Sequence, residues 1–464
     1  MSEPLPAVSA VDPATGLQSA HAVSLVRLHT LPLGLVTLSI GEDGMSPDQF
    51  SQRIRAVLGP RIAEHLQRDG ISTSGRLGGS GLPAVSSPPC LEERDRVLAN
   101  APFVSVVVPT HNRPELIRTC LEALSKLEYP SYEVIVVDNA PATPEIAAEV
   151  EAICAARPVA RYVREDRPGA SWARNRGVIE SRAEIIAFTD DDVLVDRYWL
   201  LELVKAIQSE ENVGCATGNV LPRRLDTPSQ AWFEERGGFS RGFVRHVYDS
   251  VSNRPRNALY PYSAMMFGSG NSMAFRSSIL RAIGGFDPAL DPASPSRGGE
   301  DLSAFFEVIV RGHKLVYEPA AIVRHLHRRD FAGLRQQMYS WGVGFSAYLT
   351  RSLLAHPRLL PDFAVRLPYA LAILLKGRIP YGLDEAQRLE RSFPDTDTRD
   401  LWRVEHVGYL HGTMAYLKSL RRARRIVKEF GRLDIRASGQ GINRATIEGL
   451  PSEQILAANN ANRE

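Results

Sequence analysis

From Phe103 onward, short apolar runs and helical patterns take turns along the chain, and this alternation limits the fold more than any other feature. "FVSVVVPT" reads as a strand, and "RPELIRTCLEALSKL" as a helix with Pro114 in its first turn. "YEVIVVDNA" and "ARYVRE" are the next strands, separated by the helical "TPEIAAEVEAICAA". "SWARNRGVIESR" is again helical, and "AEIIAFT" is a buried strand rich in β-branched and aromatic residues. Such a βαβ series predicts an α/β domain with a mostly parallel sheet and helices on both faces, over residues 100–332.

Around this domain the pattern changes. Residues 1–22 lack periodicity and read as disordered. A small α+β unit is expected over 23–76, with a hairpin broken near Pro32 to Gly34 and a helix starting after Ser46. A Gly-, Ser- and Pro-rich linker is expected over 77–99. Beyond the α/β domain, a helical extension is expected over 333–432 and a tail over 433–464.

Composition narrows the function classes. A formal net charge of +2 over 464 residues argues against a nucleic-acid binder. The four cysteines, Cys90, Cys120, Cys154 and Cys215, form no C-x-x-C pair, so neither a disulfide framework nor a structural zinc site is readable. They suit a reducing compartment. "MSEPLPAVSAVDPATG" has no signal-peptide pattern, and "FAVRLPYALAILL" is too short and too interrupted to span a membrane. A cytoplasmic location is expected, with contact at the cytoplasmic face of the membrane as an option.

In open α/β sheets, ligands gather beyond the carboxyl ends of the strands. Polar clusters stand at three such ends: "PTHNR" (109–113), "DNA" (138–140) and the acids Asp190, Asp191 and Asp192 in "FTDDDV". Three adjacent carboxylates repel one another unless water or a cation compensates them. A D-x-D pair of hard oxygen ligands suits Mg²⁺ or Mn²⁺. No G-x-G-x-x-G or P-loop pattern occurs here. An EF-hand starting at Asp190 fails, with Leu194 fifth, Val195 where glycine belongs, and Leu201 twelfth. An aspartate-nucleophile phosphatase remains a rival, weakened because its motif belongs on the first strand.

"VSVVVPTHNRPELIRTCLEAL", "YEVIVVDNA", "RPGASWARNRGVIESRAEIIAFTDDDV", "GNSMAFRSSILRAIGGFD" and "GGEDLSAFFEVIVRGHKLVYEPAAIVRH" resemble, in order, the motifs of family 2 glycosyltransferases. The resemblance covers about residues 102–330. It implies a GT-A fold, an inverting transfer from a nucleotide-diphospho-sugar (UDP-, dTDP- or GDP-linked) and a divalent cofactor, Mn²⁺ or Mg²⁺. The acceptor would be a glycan or a lipid-linked hydroxyl in cell-envelope polysaccharide or glycolipid synthesis. Pro109, Thr110, Asn112, Arg113, Asp138, Arg174, Asp190, Asp191, Gly270 and Asn271 are the implied donor-binding residues. Asp192, Asp190 and His325 are the implied metal ligands, with His327 the alternative to His325.

Asp301, ahead of Glu300, is the implied base that deprotonates the acceptor. An acid before "LSAFFEVIVRG" could also simply cap that helix. The basic "KSLRRARRIVKEFGR" helix, Lys418 to Arg432, is either a solvated face or a contact for an anionic membrane. A non-catalytic binding module of the same fold is the reading from a different class.

Overall fold

A computed structural model describes residues 4–11, 16, 18–71, 77–82, 87–375 and 399–436. The chain divides into two compact units, one formed mainly by residues 1–101 and one by most of the chain from Pro102.

In the N-terminal unit, β1 (His21–Leu28) and β2 (Leu31–Ser39) form an antiparallel hairpin. α1 (Pro47–Arg68) and α2 (Pro89–Ala99) follow. Ser46 caps α1 as expected, in a reciprocal capping box with Gln49. Leu28, Val36 and Leu38 of the hairpin bury against Ile54, Leu58 and Ile62 of α1. Fourteen core residues of this kind give the unit its own hydrophobic interior.

Three expectations need correcting here. The hairpin turns at His29–Thr30, both with positive φ, and Pro32 lies within β2. A register shift after Val26 absorbs the proline, whose missing N–H cannot join a regular ladder. The described part of 4–11 is ordered, because Val8 bridges to Met45 and Ala10 is buried. The end of the expected linker is helical as α2, since Pro88 and Pro89 can start a helix as readily as they break one.

The second unit opens with β3 (Val104–Thr110), α3 (Pro114–Leu124), β4 (Tyr132–Asn139), α4 (Pro144–Ala155), β5 (Ala160–Glu165) and α5 (Ala170–Glu180). Then come β6 (Ile185–Phe188), β7 (Val193–Val195), α6 (Trp199–Gln208), β8 (Val213–Pro222), α7 (Pro228–Glu235) and β9 (His246–Tyr248). β10 (Met273–Arg276), α8 (Ser277–Ile283), α9 (Glu300–Val310) and β11 (Lys314–His325) complete the α/β part. The sheet runs β5-β4-β3-β6-β10-β8-β11-β7, with β9 on β11. Parallel pairing holds for β5-β4-β3-β6 and for β8-β11. β10 enters antiparallel between β6 and β8, so the sheet is mixed. All seven residues of β3 are buried, as both faces are covered by helices.

The helical extension consists of α10 (Phe331–Ala355), α11 (Leu360–Leu375) and α12 (Arg399–Phe430). α10 and α12 pack closely, with Ser346 donating to Tyr409 O at 2.7 Å and Thr350 Oγ1 2.9 Å from Thr413 Oγ1. Among the described residues no helix is long and apolar enough to cross a membrane. The expected tail lies outside the described residues beyond 436.

Candidate active site

The carboxyl ends of β3, β4 and β6 carry the three polar clusters singled out in the sequence. Thr110 ends β3, Asp138 is the penultimate residue of β4, and the acids follow β6. α5 leans on this edge. A Cβ at Gly177 would lie 2.3 Å from Val107 Cγ1, so only glycine lets the helix approach β3 this closely. That approach brings Arg174, three residues earlier, over the acids.

The three aspartates have different partners. Asp191 is buried and accepts from Thr110 Oγ1 at 2.8 Å and from Arg113 Nη1 at 3.3 Å. It ties the β3 loop to the end of β6 and does not line the cavity below. Asp190 accepts from Arg174 Nη2 at 2.8 Å. Asp192 Oδ1 lies 3.7 Å from His325 Nε2 at the end of β11. Burial, with Asp190 and Asp191 adding repulsion, pushes the Asp192 carboxyl up. Burial, His327 and Arg328 push the His325 imidazole down to about 3, so it is neutral at ordinary pH.

The acids of the "GGED" stretch begin α9. Glu300 accepts from Arg174 Nη1 at 2.6 Å, so a single guanidinium bridges Glu300 and Asp190. Burial pushes Glu300 up, and Arg174 opposes it. Asp301 accepts one backbone N–H on each oxygen, from Gly270 at 2.9 Å and from Leu302 at 2.8 Å. Gly299 is the N-cap of α9 and makes no side-chain cap bond, so Asp301 sits in the first turn, where the positive end of the helix favours a carboxylate, without being the cap. A Cβ at Gly270 would stand 3.0 Å from Asp301, which explains the glycine. Burial pushes Asp301 up, against Arg174 and the two N–H groups.

Arg174, Asp190, Asp192, Gly270, Asn271, Glu300, Asp301 and His325 line one cavity of about 610 Å³. Pro109, Thr110, Asn112, Arg113, Asp138 and Asp191 do not line it. Pro109 is buried inside β3 and pairs in register with Val137. Asn112 has φ 55 and accepts from Ala142 N at 2.8 Å, bracing the β3 loop against the β4–α4 loop. Asp138 accepts from Tyr162 OH at 3.0 Å, and its buried Oδ1 has no partner among the described residues. Asn271 Oδ1, within the cavity, is likewise buried and unpartnered.

β11 ends at His325, and the rings of His325 and His327 lie together with Nδ1 atoms 3.0 Å apart, as side chains two residues apart on one side of an extended chain do. His325 lines the cavity, while His327 is buried against Phe233 and Phe239. The cavity wall also includes Arg328, Gln337 and Trp341, to which the sequence assigned nothing. The basic run "RHLHRRD" could have flagged Arg328. Nothing in the α10 pattern shows that Gln337 and Trp341 meet this edge.

By chemical type the donor set suits a divalent cation, although among the described residues its ligand atoms are not drawn together within 4.8 Å of one another. Asp192 supplies a carboxylate, His325 a neutral nitrogen, and Asp190 a second carboxylate two residues away. Mixed O/N ligands of this kind suit Mn²⁺ and accept Mg²⁺.

Residues 105–284 match the family model described as glycosyl transferase family 2. The glycosyltransferase AglE of Haloferax volcanii is 37% identical over 123 residues, 26% of this chain and 40% of the relative. The pre-mycofactocin glycosyltransferase of Mycobacterium tuberculosis is 28% identical over 225 residues, 48% of this chain and 43% of the relative. The chain therefore spans less than half the length of these relatives. Among solved structures, the mannosyltransferase PcManGT from Pyrobaculum calidifontis, in complex with GDP-Man and Mn²⁺, has a TM-score of 0.38 at 18% identity. That alignment covers 80% of this chain and 87% of the other.

Proposed function

We propose, from the match of residues 105–284 to glycosyl transferase family 2, that the protein is a metal-dependent inverting glycosyltransferase. It moves a sugar from a nucleotide-diphospho-sugar to an acceptor hydroxyl, in glycan or cell-envelope polysaccharide or glycolipid synthesis. The observation that carries this reading is the single cavity into which Asp301 and the Asp190/Asp192 pair both face.

Asp192 and His325 would hold Mn²⁺ or Mg²⁺, with Asp190 beside them. A bound divalent cation offsets negative charge on a departing diphosphate. Arg174 fixes Asp190 and Glu300 relative to each other, so the acids of β6 and α9 keep their spacing during the reaction. Asp138, through its unmet Oδ1, offers an acceptor to a base N–H. Thr110 and Arg113 act through Asp191, holding the loop that a nucleoside would meet.

Asp301 takes the proton of the acceptor hydroxyl. Each of its oxygens keeps a lone pair after accepting its backbone N–H. Its raised proton affinity favours that role. The two N–H bonds also hold the carboxylate at a set angle, which matters for a base that must act in line.

A lipid-linked acceptor is the favoured class. Val365 and Leu371 of α11 are exposed, and α12 ends in the basic run from Lys418. Apolar and cationic helix faces together suit the surface of an anionic membrane.

The test is release of nucleoside diphosphate from a panel of UDP-, dTDP- and GDP-sugars with Mn²⁺ and an acceptor extract. One donor should turn over. If nucleotides bind but no donor is consumed, the protein is a binding module instead. Orthophosphate release from simple phosphoesters would favour the phosphatase.

A further inference from the structure

The N-terminal unit brings four different side chains to one point. His29 Nδ1 lies 3.2 Å from His65 Nε2 and 3.1 Å from Asp69 Oδ2. His65 Nε2 and Asp69 Oδ2 are 3.3 Å apart. Cys90 Sγ stands 3.6 Å from His29 Nδ1, 3.8 Å from His65 Nε2 and 2.9 Å from Asp69 Oδ2. Each residue therefore contributes one donor atom, and all four atoms lie within 4.8 Å of one another. The side chains of His29, His65 and Asp69 are 7%, 5% and 4% exposed.

These six distances are close to the edges of a zinc-sized tetrahedron. Nitrogen or oxygen ligands at about 2.0–2.1 Å from zinc stand about 3.3 Å apart, and a sulfur at about 2.3 Å stands about 3.6 Å from them. Five of the six edges match to within a few tenths of an ångström. The sixth, between Sγ and Oδ2, has the length of a thiol–carboxylate hydrogen bond.

We propose that His29, His65, Asp69 and Cys90 form a structural zinc site. Two imidazoles, one thiolate and one carboxylate fill a tetrahedron with protein atoms, leaving no open position for substrate. That is the mark of a structural site. Tetrahedral N/S donors select zinc over the oxygen-seeking Mg²⁺ and Mn²⁺.

The fold gives such an ion something to do. His29 sits at the hairpin turn, His65 in the last turn of α1, Asp69 at its C-cap, and Cys90 in the first turn of α2. None of the eleven residues of α2 is fully buried, and its apolar Leu91, Val97 and Leu98 are only half-buried, so hydrophobic burial fastens that helix weakly. An ion bound by Cys90 would fasten it to α1 and the hairpin, as metal binding commonly does in small domains.

The test uses the full-length protein and reads metal, independently of any transferase activity. Metal analysis after gel filtration should find one zinc per chain in the wild type and in Asp192→Ala. Cys90→Ser and His65→Ala should lose it. Exchange of the wild type with Co²⁺ should give intense visible absorption of a tetrahedral site and a near-ultraviolet thiolate-to-cobalt charge-transfer band. This spectrum decides the matter even if the variants fail to fold. A wild-type chain that takes up no zinc when Zn²⁺ is supplied, or a cobalt spectrum without the thiolate band, would overturn the proposal. The four side chains would then be a hydrogen-bonded cluster only.

Discussion

Arg174 donates to Asp190 across 2.8 Å, joining α5 to the acids that follow β6. Its other terminal nitrogen reaches Glu300 at the start of α9. One buried cation thus sets the spacing of two acidic groups from segments more than a hundred residues apart. Arg174→Met would leave Glu300 buried without its counter-charge, a loss of about 3–5 kcal/mol for a pair of this kind. Urea unfolding measures it. Arg174→Lys keeps the charge but cannot form both bonds, so activity should fall further than stability.

Asp192 and Asp191 should separate cleanly. Asp192 sits among other acids and is pushed up by burial, so Asp192→Ala relieves repulsion and should leave stability unchanged or raised. The same variant should lose Mn²⁺-dependent nucleotide binding, read by calorimetry. Asp191→Ala should instead lower the unfolding midpoint, because Thr110 and Arg113 lose their acceptor.

Asp301→Asn should reduce transfer by about 10²–10⁴-fold, the usual worth of a general base. Its amide must face one of two N–H donors, so a modest drop in stability accompanies the change. Donor binding should survive. Retained transfer at wild-type rate would remove Asp301 from the base role.

Acid stability should depend on Glu307 of α9. Burial alone would raise its carboxyl, but hydrogen bonds from His356, Arg351 and Arg311 outweigh burial and hold it well below the usual carboxylate range. A depressed carboxylate contributes stability in full above its unfolded value of 4.5, and that contribution is lost as pH falls through the folded value. Thermal unfolding of the wild type should therefore weaken below about pH 4.5. Glu307→Gln should start lower and show a flatter acid limb.

The α/β alternation and the three strand-end clusters were legible because strand burial and loop polarity are local properties. The cap at Ser46 was legible for the same reason, since a capping box spans four residues. The D-x-D spacing singled out Asp190 and Asp192, the two that line the cavity, whereas Asp191 turns to Thr110 and Arg113 because of the local geometry between β6 and β7. The sequence motifs marked Thr110, Arg113 and Asp191 as binding groups, whereas their side chains mostly hold one another. Trp341 and Gln337 were hidden because a helical pattern fixes which residues share a face and says nothing about what that face meets. The His29–His65–Asp69–Cys90 cluster was hidden more deeply. Its donors span about sixty residues with no paired-cysteine spacing, and only the hairpin and the two helices bring them together.

The most direct test of the central claim is the rate of nucleoside diphosphate release with the consumed donor and its acceptor, before and after the exchangeable Mn²⁺ is removed. Asp192→Ala serves as the control for chelators that would also attack a zinc site. Release should fall to the background of that variant and return when Mn²⁺ is restored. A folded wild-type protein that transfers sugar equally fast without the cation would contradict the account.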